Sequence, residues 1–258
     1  MKYLIQGIDK KVDSCQICGA YEKLTWDHVP PKSCVEQSPV MIKSLYADIT
    51  NDKTKAFLSQ NGLKFRTICG RCNSELGNKY DPELCKFTSY IVRYSRSRLR
   101  LPKTFEVPYD HFKLVKCLAG HYLASTLDHG STLDIQLRKS YLGQITDLPV
   151  RIAVSLSSGL STSIVKDVCR GDASGRYEPF FMSAIKWLPL MFLFSFDENP
   201  YGMVEVHSGG VVEKKAKSIL LDKSRAVIDG WPEHPLNNEF ILMNDQLGTQ
   251  ITAERHQR

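Results

Sequence analysis

The sequence predicts an α+β protein in which a metal-braced N-terminal unit is followed by a helix and a mainly antiparallel β-sheet. Three observations carry this expectation. Two C-x-x-C pairs, Cys15/Cys18 and Cys69/Cys72, each adjoin a strand-like stretch in the first third of the chain. Apolar residues recur at helical spacing between about residues 81 and 127. From Leu133 onward the texture changes to short apolar segments separated by Gly, Asn and Asp, the pattern of strands and turns. Pro102 and Pro108 mark a linker, so the expected units are 1–103 and an α+β accessory unit, 104–258.

The elements follow in order. Residues 1–14 carry no motif. Cys15–Cys18 forms a tight knuckle, with Gly19 supplying the backbone freedom the turn needs. Tyr21 to Val29 is predicted as a strand with Leu24 and Trp26 on one face, stopped by Pro30-Pro31. Between the knuckles, Val40 to Ala47 predicts a short helix and Lys53 to Gln60 another. Leu63 to Ile68 is a second strand, and Cys72 to Asn78 has the character of a helix's opening turns. Asp81-Pro82-Glu83 signals a helix start, with Asp as cap and Pro in the first position. That helix is expected to run to about Leu99 and to bury Leu84, Phe87 and Ile91. Asp110 is expected to cap a helix to about Leu127, and strands follow over 150–156, 163–168, 180–185, 188–196, 203–207 and 217–221. The polar tail after Ile251 is expected to fray.

The amino terminus lacks the apolar core of a signal peptide, and the longest apolar run, Trp187 to Phe196, is far shorter than the ~20 residues that span a bilayer. A cytoplasmic protein without membrane contact is expected. In a reducing compartment, eight cysteines argue for metal rather than disulfides, at least for the four in pairs. Cys34, Cys85, Cys117 and Cys169 are isolated and are expected to be small buried hydrophobes. His111, His121 and His129 lie on or near one helix, but no cysteine or carboxylate pattern accompanies them, so none is expected to hold metal.

The net charge of +6 is unevenly divided. Residues 1–103 hold 18 Lys and Arg against 10 Asp and Glu, whereas the remainder is slightly acidic. Positive potential thus belongs to the segment with the motifs, as a polyanion-binding surface requires. Arg66, Arg71, Lys79, Arg93 and Arg96 are the phosphate-contact candidates, the plain alternative for each being a solvated surface charge.

Four cysteinates at two knuckles suit a closed, tetrahedral structural zinc site. The segment between the knuckles contains Asp27-His28, and Asn73 directly follows the second knuckle. This pattern of a cysteine pair, Asp27-His28-Val29-Pro30-Pro31, and a second cysteine pair closing on Asn73 resembles the HNH endonucleases over roughly residues 10–82. The resemblance implies a ββα-metal fold with His28 as general base and Asp27 and Asn73 as ligands of a catalytic Mg²⁺ or Mn²⁺. It also implies DNA as the substrate. Asn61 is the first candidate for the middle Asn of the motif, with Asn78 second, and the insertion from about 32 to 62 is longer than in compact members. A freestanding chain of this architecture resembles nucleases of bacterial phage-defence and mobile-element systems, with residues 104–258 available to a protein partner or a second copy. The alternative is a zinc-ribbon nucleic-acid-binding protein without hydrolysis.

Overall fold

The first knuckle turns on Gly19, whose φ of +74° is the left-handed conformation that glycine adopts without strain, and its amide donates to Cys15 O at 2.8 Å. A computed structural model describes residues 10–44, 56–95, 97, 102–127, 130–158, 161–225, 231–233, 238–243 and 250–255. Strands β1 (Val12–Ser14), β2 (Tyr21–His28) and β5 (Lys64–Cys69) form a three-stranded antiparallel sheet in the order β1-β2-β5. The β2–β5 ladder carries a bulge where Arg66 and Thr67 together oppose Trp26. Leu24 is buried, but Trp26, expected on the same face, lies at the surface beneath Lys64.

Helix α1 (Gly70–Glu75) leaves β5 at the second knuckle and passes through a π-helical turn (Leu76–Tyr80) into α2 (Asp81–Ser95). The helical path is therefore continuous through Asp81, which is αR at φ −54°, ψ −38° rather than the expected N-cap. Pro82 has no N–H to give to an i−4 carbonyl, and the wider π turn absorbs that missing bond in place of a break. The Asp81 carboxylate is thereby free for a tertiary role. Leu84, Phe87 and Ile91 are buried, as their spacing predicts.

The cap expected at Asp110 is present: its carboxylate accepts from Lys113 N at 3.0 Å and opens α3 (His111–Ala124). The preceding residues form strand β6 (Thr104–Asp110), where a linker is expected; Pro108 fits because, among the described residues, β6 pairs only with β12 (Ala216–Asp222). Helix α4 (Thr132–Tyr141), also unforeseen, is capped by Ser131 Oγ, and at its far end Lys116 Nζ donates to Tyr141 O at 2.9 Å.

The large sheet runs β11 (Val204–Val211), β7 (Asp147–Leu156), β10 (Leu190–Ser195), β9 (Phe180–Trp187), β8 (Thr162–Asp172), β14 (Gln250–Arg255), β3 (Val40–Ser44), β4 (Phe57–Ser59). Strand β13 (Glu239–Met243) also pairs with β8, and all of these pairings are antiparallel. Two expectations are corrected here. The segments predicted as helices within 40–60 contribute strands β3 and β4, their residues 45–55 lying outside the described ones. The tail predicted to fray contributes β14, which sits between β8 and β3 with Ile251 and Ala253 buried. In both cases a partner distant in sequence decides what local propensity leaves open.

One hydrophobic cluster runs from Cys15 through Leu84, Val115 and Phe192 to Ala253, so buried side chains are continuous across position 103. A second covers the other face of the sheet with Val168, Phe180, Met182, Met191 and Trp231. Burial on both faces is why β10 has no exposed position. No helix among the described residues is long and apolar enough to cross a membrane.

Two close contacts in this core make testable demands. Gly120 lets α3 approach the π turn: a Cβ there would stand 2.5 Å from Leu76 Cδ1 and 3.0 Å from Tyr141 Cε2, and both side chains are buried. Gly120→Ala gains up to about 1 kcal/mol of helix propensity but overpacks a filled site, which costs about 1–3 kcal/mol. A net loss of stability in urea unfolding is expected; a stabilised variant contradicts the packing.

His111 and His207 form the other. Glu213 N donates to His111 Nδ1, so His111 carries its proton on Nε2 and donates it to His207 Nδ1 at 3.1 Å. His207 Nε2–H then donates to Leu148 O at 3.1 Å. All four ring nitrogens are satisfied only if both rings are neutral. Burial pushes His111 down to about 4, with Lys217 and His207 adding to the effect, and burial also lowers His207. The unfolded chain takes up protons near 6.5 and the fold does not, so stability from this pair is complete above pH 6.5 and is lost as pH falls toward 4. Imidazole ¹⁵N shifts should report neutral Nε2–H tautomers at both residues at pH 7 and a His111 ring still neutral at pH 5.5; a His111 imidazolium by pH 6 contradicts the chain.

Candidate active site and metal centre

The two knuckles meet. The sulfurs of Cys15, Cys18, Cys69 and Cys72 all lie within 4.8 Å of one another, a group that can hold a metal ion. Cys18 Sγ and Cys69 Sγ are 3.8 Å apart, and four bonds of about 2.3 Å in a tetrahedron set neighbouring sulfurs about 3.8 Å apart. The Cys69 amide points at Cys15 Sγ from 3.3 Å, which favours a thiolate there. A hydrogen bond from Cys72 holds Cys15 down at about 4, while the same bond, then burial, pushes Cys72 up. Burial pushes Cys69 up to about 11. Without a cation the group keeps protons on Cys72 and Cys69; a dication is what would displace them.

Asn73 stands one residue beyond this group, in the first turns of α1. Its side-chain amide nitrogen donates to Thr25 Oγ1 at 3.0 Å and to Trp26 O at 2.9 Å, which pins α1 across β2 just before Asp27. Thr25 Oγ1 donates in turn to Ile68 O, so the amide orientation is set by its acceptors. Both N–H groups are used, and the amide oxygen is the atom left for a cation.

His28 ends β2 and is followed by a cis Val29-Pro30 bond. The Asn61 backbone carbonyl accepts from its ring, while His28 Nε2 is buried without a hydrogen-bond partner among the described residues. Burial lowers the His28 pKa, with the Asn61 carbonyl and Asp27 acting against it. The ring is thus oriented from one side and has a free nitrogen on the other. Asn61, the first candidate for the middle Asn, acts here through its main chain.

Asp27 is buried, and its Oδ2 lies 3.2 Å from His121 Nδ1 on α3, out of line for a hydrogen bond. His121 Nε2 is 2.8 Å from Asp81 Oδ1, and Cys117 Sγ lies 3.5 Å from the same oxygen. Burial opposes a charge on His121, but Asp27 and Asp81 outweigh it and hold its pKa well above the ordinary histidine value. These neighbours were not foreseen from sequence. The only signal was spacing: Asp81/Cys85 and Cys117/His121 are i,i+4 pairs on two helices.

The basic residues divide. Arg66 donates from Nε to Leu24 O and lies over the Trp26 ring, so it and Lys64 make a cationic lid on that surface tryptophan. Arg71 is exposed and faces the Cys18 sulfur, beside the four-cysteine group. Lys79 pairs with Glu75 at 2.8 Å, and Arg93 is exposed in the last turn of α2. Arg96 lies outside the described residues. A cavity of about 370 Å³ lined by Tyr201, Met203, Leu221 and Trp231 contains none of the predicted site residues. In comparisons with known proteins, no family model matches the chain, and no curated protein or solved structure does.

Proposed function

We propose that this chain is a metal-dependent DNA endonuclease of the ββα-metal type. The observation that carries the reading is the conjunction around β2: a ring oriented by Asn61 with Nε2 unpartnered, a carboxylate one residue earlier, and a carboxamide pinned across the same strand by α1. In this reading the four-cysteine group holds a structural Zn²⁺, which fixes α1 to the β2–β5 hairpin and so sets where Asn73 stands.

Phosphodiester hydrolysis needs a proton acceptor for water and a way to disperse charge on phosphorus and the departing oxygen. His28, neutral at pH 7 because burial depresses its pKa, takes the proton on Nε2 while Asn61 keeps the ring from turning. Asp27 and the Asn73 oxygen are hard donors suited to Mg²⁺ or Mn²⁺, and such an ion would supply positive charge opposite the phosphate. Trp26 with Lys64 and Arg66, and the exposed Arg71, give the same region aromatic and cationic contacts for a phosphate backbone.

One observation favours the second reading, a nucleic-acid-binding protein without hydrolysis: Asp27 Oδ2 already faces His121. Cleavage of plasmid, linear and single-stranded DNA across a series of divalent ions separates the two. Cutting that depends on the ion supports the nuclease. Salt-sensitive binding with no cutting under any ion supports the binder.

A further inference from the structure

Three of the four isolated cysteines, expected as separate buried hydrophobes, converge on one place. Asp81 Oδ1, Cys117 Sγ and a ring nitrogen of His121 lie within 4.8 Å of one another where α2 packs on α3. Cys85 follows Asp81 by one turn of α2 but is not one of that group, whereas His121 follows Cys117 by one turn of α3. Cys34, from the loop after Pro30-Pro31, brings its sulfur to 2.9 Å from Cys85 Sγ. Cys85 also donates to Ser33 Oγ at 2.9 Å. Cys117 and His121 are almost wholly buried, and His121 Nδ1 makes no hydrogen bond among the described residues.

Thiols in a core ordinarily seek apolar neighbours. Here they gather on a carboxylate and an imidazole, the residue types that bind a borderline-soft dication. We propose that Asp81, Cys117 and His121 supply three ligands of a second metal site that takes Zn²⁺, beside the hydrogen-bonded Cys34–Cys85 sulfur pair. A tetrahedral ion with bonds of about 2.0–2.3 Å holds its donors about 3.3–3.8 Å apart. The Cys117–Asp81 edge of 3.5 Å is already in that range, and the His121–Asp81 edge of 2.8 Å opens by a few tenths of an ångström. His121 would then bind through Nε2 and keep Nδ1 beside Asp27 Oδ2, the arrangement in which a carboxylate fixes a ligating histidine. The site stands on its ligands and does not depend on the chain cutting DNA.

The test is zinc content of the purified full-length chain by mass spectrometry after dialysis against a weak chelator. About two ions per chain are expected in the wild type, with about one in Cys117→Ser and about one in Cys15→Ser. Asn73→Ala is expected to keep both. One ion in the wild type overturns the proposal and leaves His121 as an imidazolium held between Asp27 and Asp81. Two ions in Cys117→Ser, or loss of the second only in Asn73→Ala, overturns it by moving the ion elsewhere. The wild-type count decides even if Cys117→Ser does not fold, and Asp81→Asn, altered at a half-buried position, repeats the arm in a milder form.

Discussion

His28→Ala is expected to lower ion-dependent DNA cleavage by about 10²–10⁴-fold, the range over which a positioned general base acts, with little change in fold or zinc content. The asymmetry of its contacts argues for that separation. Among the described residues its ring gives one hydrogen bond, to the Asn61 carbonyl, and Nε2 gives none, so truncation orphans a single acceptor. The four-cysteine group and the Asn73 anchor are bonded to other residues of β2 and β5. Wild-type activity should carry the base's signature as well. The base works only when neutral and its pKa is lowered by burial, so kcat/KM should rise with pH through a midpoint below 6.5 and then level off. Undiminished cleavage by the variant removes His28 from the chemistry, and a midpoint well above 6.5 assigns the step to another group.

What the sequence revealed of this site was what short-range chemistry dictates. The C-x-x-C knuckles, the Asp110 cap and the alternating strands from Val150 onward depend on residues a few positions apart, and each is found where its pattern lies. The elements that escaped depend on partners far along the chain. Val40–Ser44 has helix-compatible composition and is a strand because β14 and β4 lie beside it; Gln250–Arg255 is too polar to suggest a strand and is held by β8 and β3. The same holds for chemistry. Cys34, Cys85 and Cys117 are unremarkable singly, and only the packing of α2 on α3 and the loop after Pro31 shows them as neighbours. At Asp81 the expectation and the structure part for a local reason: Asp-Pro-Glu is a strong helix-start signal, and nothing before it discloses that a π turn carries the helix through.

The largest loss of stability is expected from Cys72→Ser. A structural zinc site contributes about 10–16 kcal/mol of apparent binding energy at neutral pH, against a total of about 5–15 kcal/mol for an ordinary domain. Replacing one thiolate leaves three sulfurs, two of them buried, with too few charges for an ion. The melting temperature should fall by more than about 10 °C, since a chain of this size loses about 2–4 °C per kcal/mol. The damage should spread beyond the knuckles. Thr67 Oγ1 donates to Ala124 O at the end of α3, Arg138 Nε on α4 donates to Gln16 O at 2.9 Å, and Ile17, Ile68 and Leu76 lie in the same cluster as Val115 and Leu118. Hydrogen exchange should therefore quicken in 111–124 and 132–141 as well as in 12–28 and 64–80. A melting temperature unchanged within about 2 °C, a shift worth under about 1 kcal/mol, would mean that no ion braces the knuckles. Exchange quickened only in 12–28 and 64–80 would mean that the hairpin opens without the core beneath it, and that the metal sets the position of Asn73 alone.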